Sequence, residues 1–262
     1  MSETLTSVRN PKIKQLLLLQ EKSRARRDSG LFVVEGLREL RRCIDAGFEV
    51  DTVFVAGFAA DSAPRCAGAK VFEVSDEVYG KIAYREGTEG VIAEVKAREM
   101  TLGSLTLKEN PLVVVLESVE KPGNLGAVLR SADAAGVDAV IVCDPLTDLY
   151  NPNLIRSSLG GIFTVPCACC TSEEAIAFLK ERGIQILSAQ LQDSDWYYDR
   201  DMRRGTAIVI GTESTGLTQV WREAADAHIK IPMLGSLDSL NASVSAAVLM
   251  FEAVRQRNSR NG

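Results

Sequence analysis

The second half of the chain alternates short apolar runs with segments of helical periodicity, and this alternation constrains the fold more than any other feature. Runs of strand length lie at 112–116, 139–143, 185–189, 207–210 and 228–231, with a shorter one around 164–166. Helices are predicted between them at about 124–135, 152–159, 173–182 and 240–257, with Ser172 as the cap of the third. This pattern predicts an α/β fold whose mostly parallel sheet is covered by helices on both faces.

A smaller α/β unit is predicted ahead of this region. Asn10 and Pro11 form a typical helix start, and residues 23–30 are predicted to form a basic loop. Strands are predicted at 31–34, 51–55, 70–74 and 91–95, with one helix that ends at Gly47 and a short one capped by Ser75. Residues 96–110 are polar and lack a buried pattern. The predicted division is a first domain at 1–98, a linker at 99–110 and a second domain at 111–262.

The charge distribution indicates selective contact with a polyanion. The 262-residue chain has a formal net charge of −5, which argues against a protein that coats nucleic acid indiscriminately. Residues 1–45 nevertheless hold ten Lys and Arg against six Asp and Glu. A basic end on an acidic body is typical of a protein that contacts a polyanion at one surface.

This sequence lacks the residues or segments that several classes of protein require. The longest apolar runs are far too short to span a bilayer, and no secretory signal is visible at the start, so a cytoplasmic protein is expected. His228 is the only histidine, which removes the familiar Ser-His-Asp and Cys-His catalytic sets. Of the six cysteines only Cys167 and Cys170 have C-x-x-C spacing, and the run at 167–170 is expected to consist of small apolar residues in or after a buried strand. No metal site is predicted.

Three segments rich in Gly, Asn and Ser lie where a predicted strand ends and a helix begins. They read EKPGNLGAVLR at 120–130, IGTESTGL at 210–217 and IPMLGSLDSLNAS at 231–243. Open α/β sheets bind their ligands at this edge. The second segment matches neither the dinucleotide pattern G-x-G-x-x-G nor a phosphate-binding loop, so nucleotide-dependent redox chemistry and phosphoryl transfer lack a motif. The third segment exceeds what helix capping requires and favours a functional role.

Two arginines near these segments have more than one interpretation. Arg130 lies about 120° round its helix from Asn124, which is itself a satisfactory helix cap. Taken alone, Arg130 is better explained as a solvated helix residue. Arg156, on the short helix predicted after Asn151, is compatible both with phosphate contact and with an ordinary surface position.

In order and spacing, the three segments resemble the three signature motifs of the SpoU/TrmH family of RNA ribose 2′-O-methyltransferases. That family belongs to the SPOUT class, whose fold contains a deep trefoil knot. The resemblance extends from Pro111 to the C-terminus. Residues 1–95 also resemble the substrate-binding domain often found ahead of it, which has the fold of a kink-turn-binding ribosomal protein. The stretch FVVEG at 32–36 and the basic residues before it carry this second likeness.

The resemblance implies a cofactor, a set of site residues and a homodimer. The cofactor is S-adenosylmethionine, and the residues expected to contact it are Gly211, Ile231, Met233 and Leu240. The expected catalytic set consists of Asn124, Arg130, Glu213, Ser239 and Asn241. In this family the first motif of one subunit completes the site of the other.

Transfer of a methyl group from a sulfonium requires in-line approach of the ribose 2′-oxygen, and a base assists loss of its proton. The family's proposed base corresponds to Arg130, although a guanidinium stays protonated in ordinary settings. Glu213 is the chemically easier base, whereas the resemblance gives it an orienting role. We hypothesise that Arg130 binds the phosphate beside the target ribose.

The expected substrate is structured RNA, and ribosomal RNA is preferred over transfer RNA because of the ribosomal-protein-like first domain. The residues expected to contact RNA phosphates are Lys12, Lys14, Arg24, Arg26, Arg27 and Arg156. A solvated turn remains the alternative for the basic loop. The alternative functions are a transfer RNA 2′-O-methyltransferase and a non-catalytic RNA-binding or assembly factor on the same fold.

Overall fold

The computed structural model describes residues 4–64, 66–84, 89–212 and 214–258, which divide into two compact units. The first unit holds the described residues of Met1–Glu99 together with Asp148–Thr164. The second holds those of Met100–Thr147 and Val165–Gly262. The segment 148–164 therefore packs within the first unit, although it lies inside the range predicted for the second domain. The predicted linker at 99–110 remains a prediction.

Strands and helices follow one another along the chain in the order expected of two α/β units. Before residue 100 they are β1 (Thr4–Leu5), α1 (Pro11–Glu21), α2 (Ser23–Ser29), β2 (Leu31–Glu35), α3 (Leu37–Asp45), β3 (Val50–Ala56), β4 (Lys70–Val74), α4 (Asp76–Ile82) and β5 (Val91–Lys96). Next come β6 (Leu112–Glu117), α5 (Pro122–Ala135), β7 (Ala139–Cys143), α6 (Pro152–Ser157), α7 (Gly161–Thr164) and β8 (Cys167–Cys170). The remainder are α8 (Ser172–Glu181), β9 (Gln185–Ala189), β10 (Asp195–Trp196), β11 (Thr206–Ile210), α9 (Gln219–Ala224), β12 (Ala227–Lys230) and α10 (Ala242–Asn258).

The first unit is built on a mixed sheet with the strand order β1-β4-β3-β5-β2. Its helix α1 starts as predicted, because Pro11 stands in the first turn and the Asn10 side chain accepts the N–H of Lys12. Ile13, Leu16 and Leu19 recur at helical spacing and are buried in the core of this unit. That burial holds α1 on the sheet.

Residues 23–30 were predicted to form a basic loop, and this prediction was wrong, since Ser23–Ser29 is the helix α2. Arg26 is buried, with only 4% of its surface exposed. Its Nε donates to Oδ2 of Asp148 at 2.6 Å, and its Nη1 donates to the carbonyl of Leu19 at 2.5 Å. A buried cation paired in this way cannot reach an RNA phosphate. The expectation that Arg26 contacts RNA is therefore corrected.

The segment 148–164 is attached to the rest of the first unit by aromatic and polar contacts. The ring of Tyr150 stacks on Phe32 with centroids 4.2 Å apart. The Tyr150 hydroxyl donates to the carbonyl of Arg98 at 2.9 Å and accepts the backbone N–H of Arg98 at 3.0 Å. Arg42 donates to the carbonyl of Leu159. These contacts join residues far apart in sequence, which explains why sequence periodicity did not assign the segment to this unit.

The second unit confirms the predicted α/β fold. Its sheet has seven strands in the order β10-β12-β9-β11-β6-β7-β8, and every neighbouring pair is parallel. Val113, Ile141, Ile186 and Val209 lie in the core on its central strands with no exposed surface. Strands buried on both faces read as continuous apolar runs, which is why they were recognisable in the sequence. The trefoil knot remains a prediction.

Two local predictions in the second unit were wrong. The strand expected around 164–166 is β8 at Cys167–Cys170, because Pro166 has no N–H to donate to a ladder and Thr164 still belongs to α7. The cap of α8 is Thr171 rather than Ser172: Thr171 and Glu174 form a capping box. Ser172 is buried, and its hydroxyl donates to Asp144 at 2.6 Å.

A search of the described residues finds no helix with the length and apolar character needed to cross a membrane.

Candidate active site

The loops that follow β9, β11 and β12 surround a cavity of about 350 Å³. Because the strands of this sheet are parallel, their carboxyl ends meet at one edge, where such sheets bind ligands. The apolar side of the cavity includes Ile210, Ile229 and Leu249. The second and third glycine-rich segments therefore meet at this cavity, although the 13 residues 218–230 lie between them in the sequence.

Each residue expected to contact the cofactor lies in the wall of this cavity. They are Gly211, Ile231, Met233 and Leu240. Ser239, expected in the catalytic set, lines it as well. Their roles remain predictions, but the tertiary structure brings them together as the sequence pattern required.

The loop after β11 is a compact turn that only glycine permits at its start. The backbone N–H of Thr212 donates to the carbonyl of Gly216 at 3.2 Å, and the reverse bond measures 3.1 Å. A β-carbon on Gly211 would lie 2.3 Å from the carbonyl carbon of Gly216. Gly216 itself has a φ of +68°, a left-handed conformation that favours glycine. The two glycines of the second segment are thus required by the backbone.

Glu117 anchors the far end of the same loop. This carboxylate stands at the end of β6 and is only 2% exposed. Its two oxygens accept the backbone N–H of Thr218 at 2.9 Å and the Thr218 hydroxyl at 2.6 Å. Glu117 was not among the predicted site residues, although a carboxylate that ends an otherwise apolar strand was a signal for it.

The first segment contributes a second cavity of about 230 Å³, lined by Asn124. This cavity shares Gly211, Thr212 and Ser214 with the larger one. The Asn241 side chain donates from Nδ2 to Oδ1 of Asn124 at 3.2 Å. The structure thus brings the predicted catalytic amides of the first and third segments into direct contact.

Asn241 also starts the last helix. Its Oδ1 accepts the backbone N–H of Ser243 at 3.0 Å and the Ser243 hydroxyl at 2.6 Å. Asn241 therefore caps α10, which begins at Ala242. One amide therefore both caps α10 and faces Asn124.

Arg130 stands apart from this arrangement. It is exposed on α5, six residues and about 9 Å along the helix axis from Asn124. It lines neither cavity, and it forms no hydrogen bond or ion pair with the part of the chain that the structure describes. Glu213, the other predicted catalytic residue with a charged side chain, lies outside the described residues.

Gln190 and Arg222 also line the larger cavity and were not among the predicted site residues. Oε1 of Gln190 and Nε of Arg222 are buried and have no hydrogen-bond partner among the described residues. Buried polar atoms without partners are rare and costly in proteins. Neither residue belongs to a recognised motif. Within the described ranges, no group of three or more His, Cys, Asp or Glu side chains is placed to hold a metal ion.

The remaining residues expected to contact RNA lie in the first unit. Arg27 is exposed, and Arg24 is exposed beside Asp28 at 3.4 Å. Lys12 lies over the Phe72 ring, 4.5 Å from its centroid. Arg156 lies over the exposed ring of Tyr84 at 4.6 Å. These four cations and Lys14, which is also exposed, are accessible to solvent, whereas Arg26 is buried.

Fold and site together define an α/β protein with a ligand-sized cavity at the carboxyl edge of a parallel sheet and paired amides beside it. Comparison with known proteins identifies the family. Residues 111–251 match the SpoU rRNA Methylase family, and residues 10–93 match the MRM3-like substrate binding domain. The chain belongs to the SpoU rRNA methylase family, which confirms the resemblance read from the three motifs.

Two relatives and one solved structure describe its place in that family. The chain is 30% identical over 261 residues to a 23S rRNA (uridine(2479)-2′-O)-methyltransferase of Streptomyces viridochromogenes, covering 95% of this chain and 91% of the relative. It is 38% identical over 196 residues to the 23S rRNA (guanosine-2′-O-)-methyltransferase RlmB of Bordetella pertussis, covering 73% and 80%. The AdoMet-bound rRNA methyltransferase of Sinorhizobium meliloti superposes with a TM-score of 0.89 at 27% identity, covering 99% of each chain.

Proposed function

We propose that this protein transfers a methyl group from S-adenosylmethionine to the 2′-hydroxyl of a ribose in ribosomal RNA. The observation that carries the proposal is the cavity lined by Gly211, Ile231, Met233 and Leu240, which adjoins the Asn124–Asn241 pair. The rRNA 2′-O-methyltransferase activity of the relatives, and the cofactor in the Sinorhizobium meliloti structure, agree with it.

The residues of the cavity fit the cofactor. Apolar side chains line one part of it, as the adenine ring requires, and a turn closed by Gly211 brings backbone close to the ligand. Gln190 and Arg222 carry an acceptor and a donor that have no partners among the described residues. When bound, S-adenosylmethionine supplies an electrophilic methyl group on sulfur. The protein's part is to orient the ribose hydroxyl and to assist loss of its proton.

The protein acts as a homodimer in this proposal. Arg130 is exposed and lines neither cavity of its own chain, so it is available to a second copy. The first motif of one subunit then completes the site of the other. In that position the Arg130 guanidinium binds the phosphate beside the target ribose, since its planar fork matches phosphate oxygens. The predicted cytoplasmic location stays a prediction.

Substrate RNA is held by the first unit through the exposed cations Arg24 and Arg27 together with Lys12 and Arg156. Replacing both Arg24 and Arg27 with alanine is expected to weaken RNA binding about 10-fold at low salt. The slope of log affinity against log salt is expected to fall by about 1.5, because each phosphate contact contributes about 0.7 to 0.9. The measurement is a salt titration of binding to 23S rRNA fragments.

Arg182→Ala serves as the control for this double variant, because Arg182 is an exposed arginine of the second unit stacked on Phe178. It should leave the salt slope unchanged. An unchanged slope in the double variant would remove Arg24 and Arg27 from the RNA contact.

The function itself is tested by incubating the protein with labelled S-adenosylmethionine and total RNA and then mapping the modified nucleotide. We expect label on one ribose of 23S rRNA. Label on a base would overturn the proposed reaction, and label confined to transfer RNA would favour the transfer RNA alternative. Failure of the pure dimer to bind S-adenosylmethionine in a calorimeter would favour the non-catalytic RNA-binding factor.

A further inference from the structure

Gln190 carries a buried acceptor whose orientation is determined by its surroundings. The residue follows β9, and its backbone N–H donates to the carbonyl of Ile229 at 3.0 Å. Its side-chain Nε2 donates to the carbonyl of Gln192 at 2.9 Å. Because a carbonyl can only accept, this bond distinguishes the amide nitrogen from the oxygen. Oε1 is therefore the atom that is buried without a partner among the described residues, on a residue that lines the cavity.

Arg222 carries a buried donor, whereas Gln190 carries a buried acceptor. Its helix α9 is held in place by Trp221, which is fully buried and donates from Nε1 to the hydroxyl of Ser172 at 2.9 Å. Arg222 lines the same cavity, and its Nε is buried. Among the described residues, no carboxylate forms an ion pair with this guanidinium and no acceptor bonds to it. A guanidinium needs acceptors, and carboxylates match its geometry best.

The chemistry of these two atoms indicates which part of a ligand they bind. An adenosine moiety is neutral and gives no reason for an unpaired cation in the wall. The amino-acid end of S-adenosylmethionine carries one carboxylate, which accepts, and one ammonium, which donates. We propose that Arg222 binds the carboxylate and Gln190 accepts from the ammonium of the methionine moiety, an inference that rests on the proposed methyl donor. Both are positioning residues, because they fix the amino-acid end to which the reacting sulfur is attached.

Two ligands distinguish direct binding of the amino-acid end from a general contribution of these residues to the shape of the cavity. S-adenosylhomocysteine carries the amino-acid end, whereas 5′-methylthioadenosine lacks both its carboxylate and its ammonium. Titration calorimetry on the wild-type protein should show tighter binding of S-adenosylhomocysteine. Arg222→Gln is expected to weaken that binding about 10- to 100-fold and to leave the affinity for 5′-methylthioadenosine unchanged. Gln190→Leu should weaken S-adenosylhomocysteine alone by about 5-fold.

Arg182→Gln is the matched control, because it makes the same substitution at an exposed arginine of the second unit that is stacked on Phe178 and does not line the cavity. We expect it to leave both affinities unchanged. Thermal unfolding without ligand checks that each variant is folded.

Equal weakening of both ligands by Arg222→Gln would overturn the proposal, and so would unchanged affinity for both. Wild-type protein that binds the two ligands equally well would also overturn it, while the proposed methyl donor would stand. Wild-type protein that binds neither would contradict the donor and this inference together.

Discussion

Replacement of Gly211 with alanine is expected to weaken S-adenosylmethionine binding by about 100-fold or more. The added β-carbon would lie 2.3 Å from the carbonyl carbon of Gly216 and 2.4 Å from its oxygen. Backbone atoms cannot give way as a flexible side chain does, so the turn after β11 must open. That turn forms part of the cavity wall. Titration calorimetry with S-adenosylmethionine measures the loss.

Gly103→Ala is the control for this variant. It makes the same substitution within the second unit, and the new β-carbon would meet only the Thr101 hydroxyl at 3.9 Å, an ordinary contact. Its affinity for S-adenosylmethionine should match that of the wild type. If Gly211→Ala also kept wild-type affinity, the loop after β11 would have no part in holding the cofactor.

Replacement of Arg130 with lysine is expected to lower kcat by about 100- to 1000-fold and to leave the affinity for S-adenosylmethionine unchanged. Lysine keeps the charge but loses the planar fork that binds a phosphate through two hydrogen bonds. The affinity is unaffected because Arg130 does not line the cavity that holds the cofactor. Single-turnover methylation of 23S rRNA, beside calorimetry, separates the two quantities. Full turnover by Arg130→Lys would remove any special role for the guanidinium.

The same residue tests whether the site is shared between subunits. Arg130→Ala and Gly211→Ala protomers are each expected to be inactive alone. If Arg130 acts across the dimer, a mixed dimer has one intact cavity that meets one intact arginine. Random mixing of equal amounts should then restore about a quarter of wild-type activity. If Arg130 acted within its own chain, mixing would restore nothing.

Much of the second unit could be predicted from the sequence because its strands are buried on both faces. The predicted strand at 139–143 coincides with β7, and that at 185–189 with β9. Predictions failed where a distant residue decided the local structure. Arg26 looked like a phosphate ligand in a loop, but Asp148, 122 positions away, pairs with it and buries it. Thr171 displaced Ser172 as the cap of α8 because Asp144 and Trp221 engage the Ser172 hydroxyl.

The candidate active site also depends partly on local sequence and partly on contacts between distant residues. By itself, the sequence determined the parallel α/β sheet, since apolar periodicity is a local property of the chain, and it indicated the family through the resemblance of its three motifs. Only the tertiary structure decided that Asn124 meets Asn241 and that Arg130 does not line the cavity. It alone showed that Gln190 and Arg222 line the cavity and that each carries a buried polar atom with no partner among the described residues. Contacts of this kind depend on which strands become neighbours in the sheet, and no stretch of sequence carries that information.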